Sequence, residues 1–413
     1  MKIIHINATC GRGSTGLMAV EISELQRRNG HETYIAYGTG KSNYPGAYCI
    51  GNDWDHKLHS LINTRLYGEE GTGSILATRQ LLKWIDSIQP DIIHLHNIHN
   101  HFLNFHLFFR YIITKSIPIV WMFPDCWAFT GKCYHFTEAG CMRWKTECHD
   151  CPQLRKSGPM TWFFDKSRKI YHLKQQLFQS LRYLDIVTIS KWLQGVTEQS
   201  IANIHPIHMI YCWIDREKFH ERKDDSIYER YGLDRNKKIL ISVSAQWIDS
   251  KTRLTDAIRL AKLLPDDYLL ILVGQMLSKQ KLPHNIIHLG YVNGTEEMSK
   301  LYSAALAYVN FSVEDTFSNV TCETHACGTP FIVFNSTALP EVAAIKEFIV
   351  PPHDIEAMLE KVKEIARNGR EYYSRRCVEH VTKNFDYETN VNRYLELYEQ
   401  ALKRKNEGEK TRK

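Results

Sequence analysis

Two doubly wound α/β layers, each on a mostly parallel sheet, are the fold that the sequence predicts, and three observations predict it. The chain has 413 residues, more than one hydrophobic core usually organises, so two domains of roughly 200 residues are expected. Short apolar runs alternate with longer amphipathic stretches, the mark of strand–helix–strand units. These runs fall into two series, with a seam near Ser200 to Ile214, where a helix ends after "ISKWLQGVTEQS".

In chain order the first series reads "KIIHIN", "ETYIAYG", "DIIHLHN", "IPIVWMF" and "LDIVTIS". The second reads "IHMIYCW", "KKILISVSA", "YLLILVG", "NIIHLG", "LAYVNFS" and "PFIVFN". Each has enough strands for its own sheet. The expected division is residues 1–205, with a Cys-rich insertion near 126–151, then residues 206–385, then a terminal helix and basic tail over 386–413. That helix, "YETNVNRYLELYEQALKRK", sets Val391, Tyr394, Leu395, Tyr398 and Leu402 on one stripe, so it packs back on a domain. Ligands of open α/β sheets gather at the carboxyl ends of strands, so two facing sheets would place a site in the cleft between them.

Composition narrows the class. The chain is 43% hydrophobic and 24% charged, as ordinary globular proteins are. No apolar stretch approaches the length of a membrane span, and Met1-Lys2 leads straight into a strand rather than a signal peptide, so a cytoplasmic protein is expected. A formal charge of +6, part of it in the tail, does not demand nucleic acid; an anionic small molecule or a membrane surface fits equally well.

The richest segment is "EDTFSNVTCETHACGTP", Glu314 to Pro330. "VTCETHA" reads as a short helix capped by Ser318 or Asn319 and stopped by Gly328 and Pro330. The amides of Val320 and Thr321 are then free at a helix N-terminus, which suits a phosphate. Glu323 lies about a turn inside, placed to accept from hydroxyls. Glu314, Asp315 and Glu323 either decorate a helix start, where acids are favourable, or grip two parts of one nucleotide sugar.

Three further clusters invite chemistry. The loop "CGRGSTGLM" holds Gly13, Ser14, Thr15 and Gly16 in neither the Walker nor the dinucleotide spacing, and reads as a tight turn or a close backbone approach to ligand. "HLHNIHNHFLNFH" carries five histidines without a fixed ligand geometry, so a polar strand end facing an acceptor, His96 and Asn97 foremost, is preferred to a metal. Cys133, Cys141, Cys148 and Cys151 form either a structural zinc site or a thiol cluster, with Cys126 as the spare.

An acid, seven residues, Glu, then "ACGTP" and a strand resembles the donor-binding motif of the retaining GT-B glycosyltransferases of family 4. "LILVG", "HLGYV", "EEMSKLYSAALAYVNFS" and "ALPEV" follow that family's order. "KIIHIN...GSTG", "PDIIHLHN", "DCWAFTGKC", "CPQ", "TISKWL" and "IDREKF" resemble its capsule and exopolysaccharide branch. The resemblance implies Glu323 on the donor ribose, Asp315 near the transferred sugar with Glu314 as substitute, and the amides of Phe317, Ser318 and Asn319 on sugar hydroxyls. The pyrophosphate would meet Val320 and Thr321, and Gly13 to Gly16 would face the cleft beside it. A cation must stabilise the departing diphosphate; Lys251 matches the family's Lys and Arg253 is the second cation, while Gln246 or Trp247 stands where relatives have Arg. Pro124 replaces a His found before "DCWAFTG", leaving Asp125 as the nearest polar group, and "YCWID" replaces an Asn-Gly-Ile-Asp segment.

The implied activity is retaining transfer from a nucleoside-diphosphate sugar to a lipid-linked saccharide acceptor in bacterial surface polysaccharide synthesis. No catalytic metal is implied, so a zinc would be structural. Contact with the cytoplasmic membrane face would use aromatic and basic residues around "FLNFHLFFRYIITK", although core packing explains the apolar ones as well. Two alternatives stand beside it: a non-catalytic GT-B relative acting as a scaffold, favoured by Pro124 and the missing Arg, and a zinc-dependent nucleic-acid binder, suggested only by the cysteines and the charge.

Overall fold

A computed structural model describes residues 1–156, 158–248 and 252–410. It divides the chain into two compact units, Met1–Ile210 with Val391–Lys413, and Tyr211–Asn390.

The first unit holds seven strands: Lys2–Asn7 (β1), Glu32–Tyr37 (β2), Ala47–Cys49 (β3), Ile92–Leu95 (β4), Ile119–Phe123 (β5), Leu184–Thr188 (β6) and Ile207–Met209 (β7). All pair in parallel, in the order β3-β2-β1-β4-β5-β6-β7. Strands β4, β5 and β6 are buried at every residue, which is why they read as unbroken apolar runs rather than alternating ones. Strand order reverses between β1 and β4, so the loops after these two strands form the switch point where open sheets bind ligands.

The second unit holds Lys238–Trp247 (β8), Tyr268–Met276 (β9), Ile286–Gly290 (β10), Ala307–Asn310 (β11), Phe331–Phe334 (β12) and Ile349–Val350 (β13). Their order is β10-β9-β8-β11-β12-β13, again all parallel, and the reversal falls between β8 and β11. One face packs Leu254, Leu260, Val362 and Ile365 against Leu240, Leu270 and Val309; the other packs Leu301, Tyr302 and Leu339 against Ile241, Ile271 and Tyr308.

The structure departs from the sequence reading at four strands. "IHMIYCW" was expected to open the second series, yet Ile207–Met209 pairs with Ile186–Thr188 at the edge of the first sheet. Strands β3 and β13 are three and two residues long, too short to show a period. Strand β8 runs on through Gln246 and Trp247, which pair with Gln275 and Met276 beyond a bulge; the loop expected there begins later.

The terminal helix spans Tyr387–Lys410. Val391, Tyr394 and Tyr398 of the expected stripe are buried, but Leu397 and Ala401 complete it, while Leu395 and Leu402 lie at its margin. Among the described residues no helix is long and apolar enough to cross a membrane.

Candidate active site

At the β8/β11 switch point of the second unit the loop after β11 is tied down by its own polar side chains. Asn310 Oδ1 accepts the Ser312 N–H at 2.7 Å, and Ser312 Oγ accepts the Glu314 N–H at 3.2 Å while donating to the Glu314 carbonyl at 2.8 Å. Asp315 Oδ1 accepts the amides of Phe317 at 3.2 Å and Ser318 at 2.9 Å. Those two amides, expected on sugar hydroxyls, are therefore engaged by Asp315. The Asp315 N–H is held in turn by Thr337 Oγ1 at 3.1 Å.

Ser318 has φ 71°, a left-handed backbone that costs a non-glycine residue about 1–3 kcal/mol and clusters at functional sites. The helix that follows spans Asn319–Ala326 and ends before Gly328, as the stop residues predict, but Ser318 precedes it without the side-chain capping hydrogen bond that was expected. Thr321, whose amide was expected to be free for the pyrophosphate, donates its N–H to the Ser318 carbonyl at 3.1 Å, because the helix opens in a tight turn; that amide is engaged within the chain.

Arg253 lies in the first turn of the helix Thr252–Leu263. Its guanidinium donates to Ser312 Oγ at 2.9 Å and Ser244 Oγ at 3.3 Å, one hydroxyl from beyond β11 and one from β8. With Asn310, Ser312, Asp315, Ser318 and Val320 it lines a recess of about 60 Å³. Lys251 lies outside the described residues. Gln246 and Trp247 belong to β8, and the Trp247 indole is buried with its Nε1–H on the Val273 carbonyl at 3.0 Å.

A larger cavity of about 320 Å³ adjoins the recess, sharing Val243 and Val320 with it, and carries Phe219, Tyr291, Tyr302 and Glu323 on its walls. Its volume falls in the range of small-molecule sites. At Gly274, φ is 121° and a Cβ would meet the Ser244 carbonyl oxygen at 1.7 Å, so only glycine lets β9 approach the end of β8 this closely. Tyr302 donates its O–H to Glu323 Oε2 at 2.9 Å. Burial pushes the Glu323 carboxyl up to about 7, against the lowering effect of that hydrogen bond. Glu314 is buried. An arginine, a helix N-terminus and a cavity ending in a hydroxyl-accepting carboxylate together suit a ligand with an anionic centre and a polyol arm.

Tyr302, Ser244 and Ser312 were not singled out from the sequence. Ser244 and Ser312 close the apolar runs "ILISVSA" and "LAYVNFS", and a polar residue at the carboxyl end of a buried strand was the signal. Nothing local marks Tyr302.

In the first unit the helix Gly13–Arg28 begins within the predicted loop. Gly13 has φ 64°, and a Cβ at Gly16 would meet Thr9 Oγ1 at 2.4 Å, so Gly16 serves close helix packing; Ser14 is exposed and Thr15 partly so. His96, expected to face an acceptor, is fully buried. It meets His5 Nδ1 through Nε2 at 3.0 Å, and His5 Nε2 meets Gln26 Oε1 at 2.9 Å. Gln26 Nε2 donates to the Tyr398 hydroxyl at 3.1 Å, which bonds His94 Nδ1 at 2.6 Å. His5, His94 and His96 bring ring nitrogens within 4.8 Å, the only such group of His, Cys, Asp or Glu among the described residues. Burial lowers all three, so they are neutral links in a hydrogen-bonded chain. Asn97 stands at the strand end, its N–H on Asn7 Oδ1 at 3.0 Å.

Asp125 pairs with His99 at 2.9 Å and accepts the Trp127 N–H at 2.8 Å. Burial opposes both charges, yet the Asp125 carboxylate raises His99 and the His99 charge lowers Asp125. Beneath them Glu70 accepts the Trp127 indole N–H at 2.7 Å, and Lys174 lies 3.6 Å from that ring. Burial brings Lys174 down to about 7. Of the four cysteines, Cys133 and Cys151 approach to 3.9 Å and Cys148 accepts the Gly131 N–H at 3.3 Å, but no three of the sulfurs lie within 4.8 Å of one another.

Two parallel sheets, each with one reversal of strand order, the second carrying an arginine beside a helix N-terminus, have the architecture of the GT-B fold. Family models agree over most of the chain: residues 16–218 match Glycosyltransferase Family 4, and residues 224–384 match Glycosyl transferases group 1. The chain belongs to this family of glycosyltransferases. It is 24% identical to Escherichia coli (strain K12) WcaC, named as a colanic acid biosynthesis glycosyl transferase, over 83% of this chain and 85% of that one. In fold it is similar to a Rickettsia africae glycosyltransferase (TM-score 0.69, 15% identity, 97% of this chain and 98% of that one). It is also similar to Anabaena HepE in complex with UDP and glucose (TM-score 0.68, 13% identity, 97% and 100%).

Proposed function

We propose that the protein transfers a sugar from a nucleoside-diphosphate sugar to a lipid-linked saccharide acceptor, with retention of configuration, in the synthesis of a bacterial surface polysaccharide. The observation that carries this reading is Arg253, held by Ser244 and Ser312 at the β8/β11 switch point beside the helix Asn319–Ala326. The diphosphate sits against the guanidinium and the helix N-terminus through Val320, with Lys251 as the second cation. Charge that builds on the departing diphosphate is then met by fixed donors, and no divalent metal is required. The ribose reaches into the larger cavity, where ionised Glu323 accepts its hydroxyls. Asp315, at the mouth of the recess, faces the transferred sugar. Asp125, steadied by His99, supplies the polar group where relatives have a His and this chain has Pro124. The name of WcaC and the UDP bound to HepE support the polysaccharide and nucleotide parts of this reading. The place of work is the cytoplasmic face of the membrane, where such an acceptor is presented.

A structural zinc on the cysteine insertion belongs to the same reading. Tetrahedral thiolates at a Zn–S distance of about 2.3 Å stand about 3.8 Å apart, which the 3.9 Å of Cys133 and Cys151 approaches; Cys141 and Cys148 must swing inward to close it. One equivalent of zinc in the purified protein, lost in Cys148→Ser, is the expected result.

A thermal-shift screen against nucleotide sugars, followed by donor hydrolysis and transfer, tests the assignment. Asp315→Asn and Glu323→Gln should each abolish transfer; full transfer in both would overturn the site. A second reading, a non-catalytic scaffold, is favoured by Pro124, and binding of nucleotide sugar without hydrolysis or transfer would select it.

A further inference from the structure

The helix Phe105–Lys115, read from the sequence as membrane contact or core packing, spends its apolar stripe on the core: Phe105, Phe108, Phe109 and Ile112 are all buried. Large apolar side chains reach solvent elsewhere in the first unit. On the helical stretch 53–66 and just beyond it, Trp54 is 75% exposed, and Leu58, Leu61 and Tyr67 are exposed by about half. In the segment that precedes the helix Ser167–Ser180, Phe163 is 63% exposed and Phe164 51%, with Trp162 beside them.

These two stretches make one surface, and the backbone fixes it. The Trp162 N–H donates to the Arg65 carbonyl at 2.7 Å. The Tyr67 and Phe164 rings stack with centroids 6.4 Å apart. At Gly68, φ is 73° and a Cβ would meet the Phe164 carbonyl oxygen at 2.4 Å, so the chains touch where a side chain could not fit. Three of the rings have a cation beside them: Lys57 with Trp54 at 5.4 Å, Arg65 with Trp162 at 5.9 Å, and Lys166 with Phe164 at 5.6 Å. Arg155 and Lys156 are exposed a few residues upstream. Of the nearby acids, Asp165 spends its carboxylate on the amides of Cys151 and Ser167, and Asp53 and Asp55 sit in the first turn of their helix.

Trp, Tyr and Phe interleaved with Lys and Arg, and exposed together, suit the headgroup layer of a bilayer, where rings insert and cations meet lipid phosphates. We infer that this face, formed by residues 54–67 and 162–166, seats the protein on an anionic lipid surface. The inference rests on the lipid-linked acceptor reading for its purpose, but on the exposed rings and cations for its chemistry.

The test is flotation of the full chain with vesicles of phosphatidylcholine alone or mixed with phosphatidylglycerol. The wild-type protein should float with the mixed vesicles and be released by salt. The triple variant Trp162→Ser, Phe163→Ser and Phe164→Ser should bind about tenfold more weakly or worse. Lys57→Glu with Lys166→Glu should lose the preference for anionic lipid. All these side chains are exposed or partly so and outside the donor site, so melting temperature and soluble donor hydrolysis should hold. No flotation of wild type with anionic vesicles, equal flotation of the triple variant, or ring-dependent dimerisation without lipid would each overturn the inference. Lipid binding without any donor hydrolysis would instead defeat the proposed transfer and leave this surface standing.

Discussion

Glu323→Gln removes a carboxyl group that burial holds at about 7 instead of its ordinary 4.5. Between those values the folded protein keeps a proton that the unfolded chain has released, so stability from this group is complete below about 4.5 and is lost as pH rises through 7. The full loss is about 3 kcal/mol. Glutamine keeps an oxygen for the Tyr302 hydroxyl and never ionises. At about pH 5 variant and wild type should melt together, and at about pH 8 the variant should be more stable by up to about 3 kcal/mol, or roughly 6–12 °C for a unit of this size. Ligand-free thermal unfolding across that range measures it. Parallel pH profiles, or a variant less stable in alkali, would refute the assignment of a buried, proton-holding Glu323. Nucleotide affinity should run the other way: a ribose-accepting carboxylate must be ionised, so wild-type binding strengthens as pH rises through 7 while the variant binds weakly at every pH.

Arg253→Ala should lower kcat by about 10²–10³-fold, the cost of removing one fixed donor from a developing anion, with Ser312→Ala showing a smaller fall; steady-state kinetics separates them. Asp315→Ala loses the acceptor for two loop amides and should cost about 1 kcal/mol in urea unfolding, whereas Asp315→Asn keeps most of that stability and still loses transfer. His99→Ala strands a buried carboxylate and should cost about 3 kcal/mol. Because His99 is raised in the fold, the stability it supplies is whole below its ordinary 6.5 and fades as pH rises past its folded value, so the gap between His99→Ala and wild type should narrow in alkali.

Much of the frame was legible because it is local. Strands β4 to β6 are covered on both faces, and their unbroken apolar runs say so. The helix Asn319–Ala326 stops at Gly328 and Pro330, whose backbone preferences need no partner. What escaped is what depends on distance along the chain. The Tyr302 hydroxyl reaches Glu323 across 21 positions, and His5 meets His96 across 91; neither pairing leaves a periodic trace. The amides of Phe317 and Ser318 looked available because a sequence shows a loop, not the carboxylate that fills it. Trp162 to Phe164 were not singled out, because a short apolar stretch in sequence does not show whether it faces outward.

The first unit is discontinuous, and that has a consequence for its synthesis. Gln26 and His94 find their shared partner in Tyr398, from the segment after Val391 that completes this unit. A ribosome has therefore made the whole second unit before that hydroxyl emerges. Until then the nascent first sheet carries His94 with an unmatched nitrogen and an uncovered apolar face, a natural client for a chaperone. Chains stopped at Asn390 should persist in that state, captured by holdases and cut by proteases in the amino-terminal half.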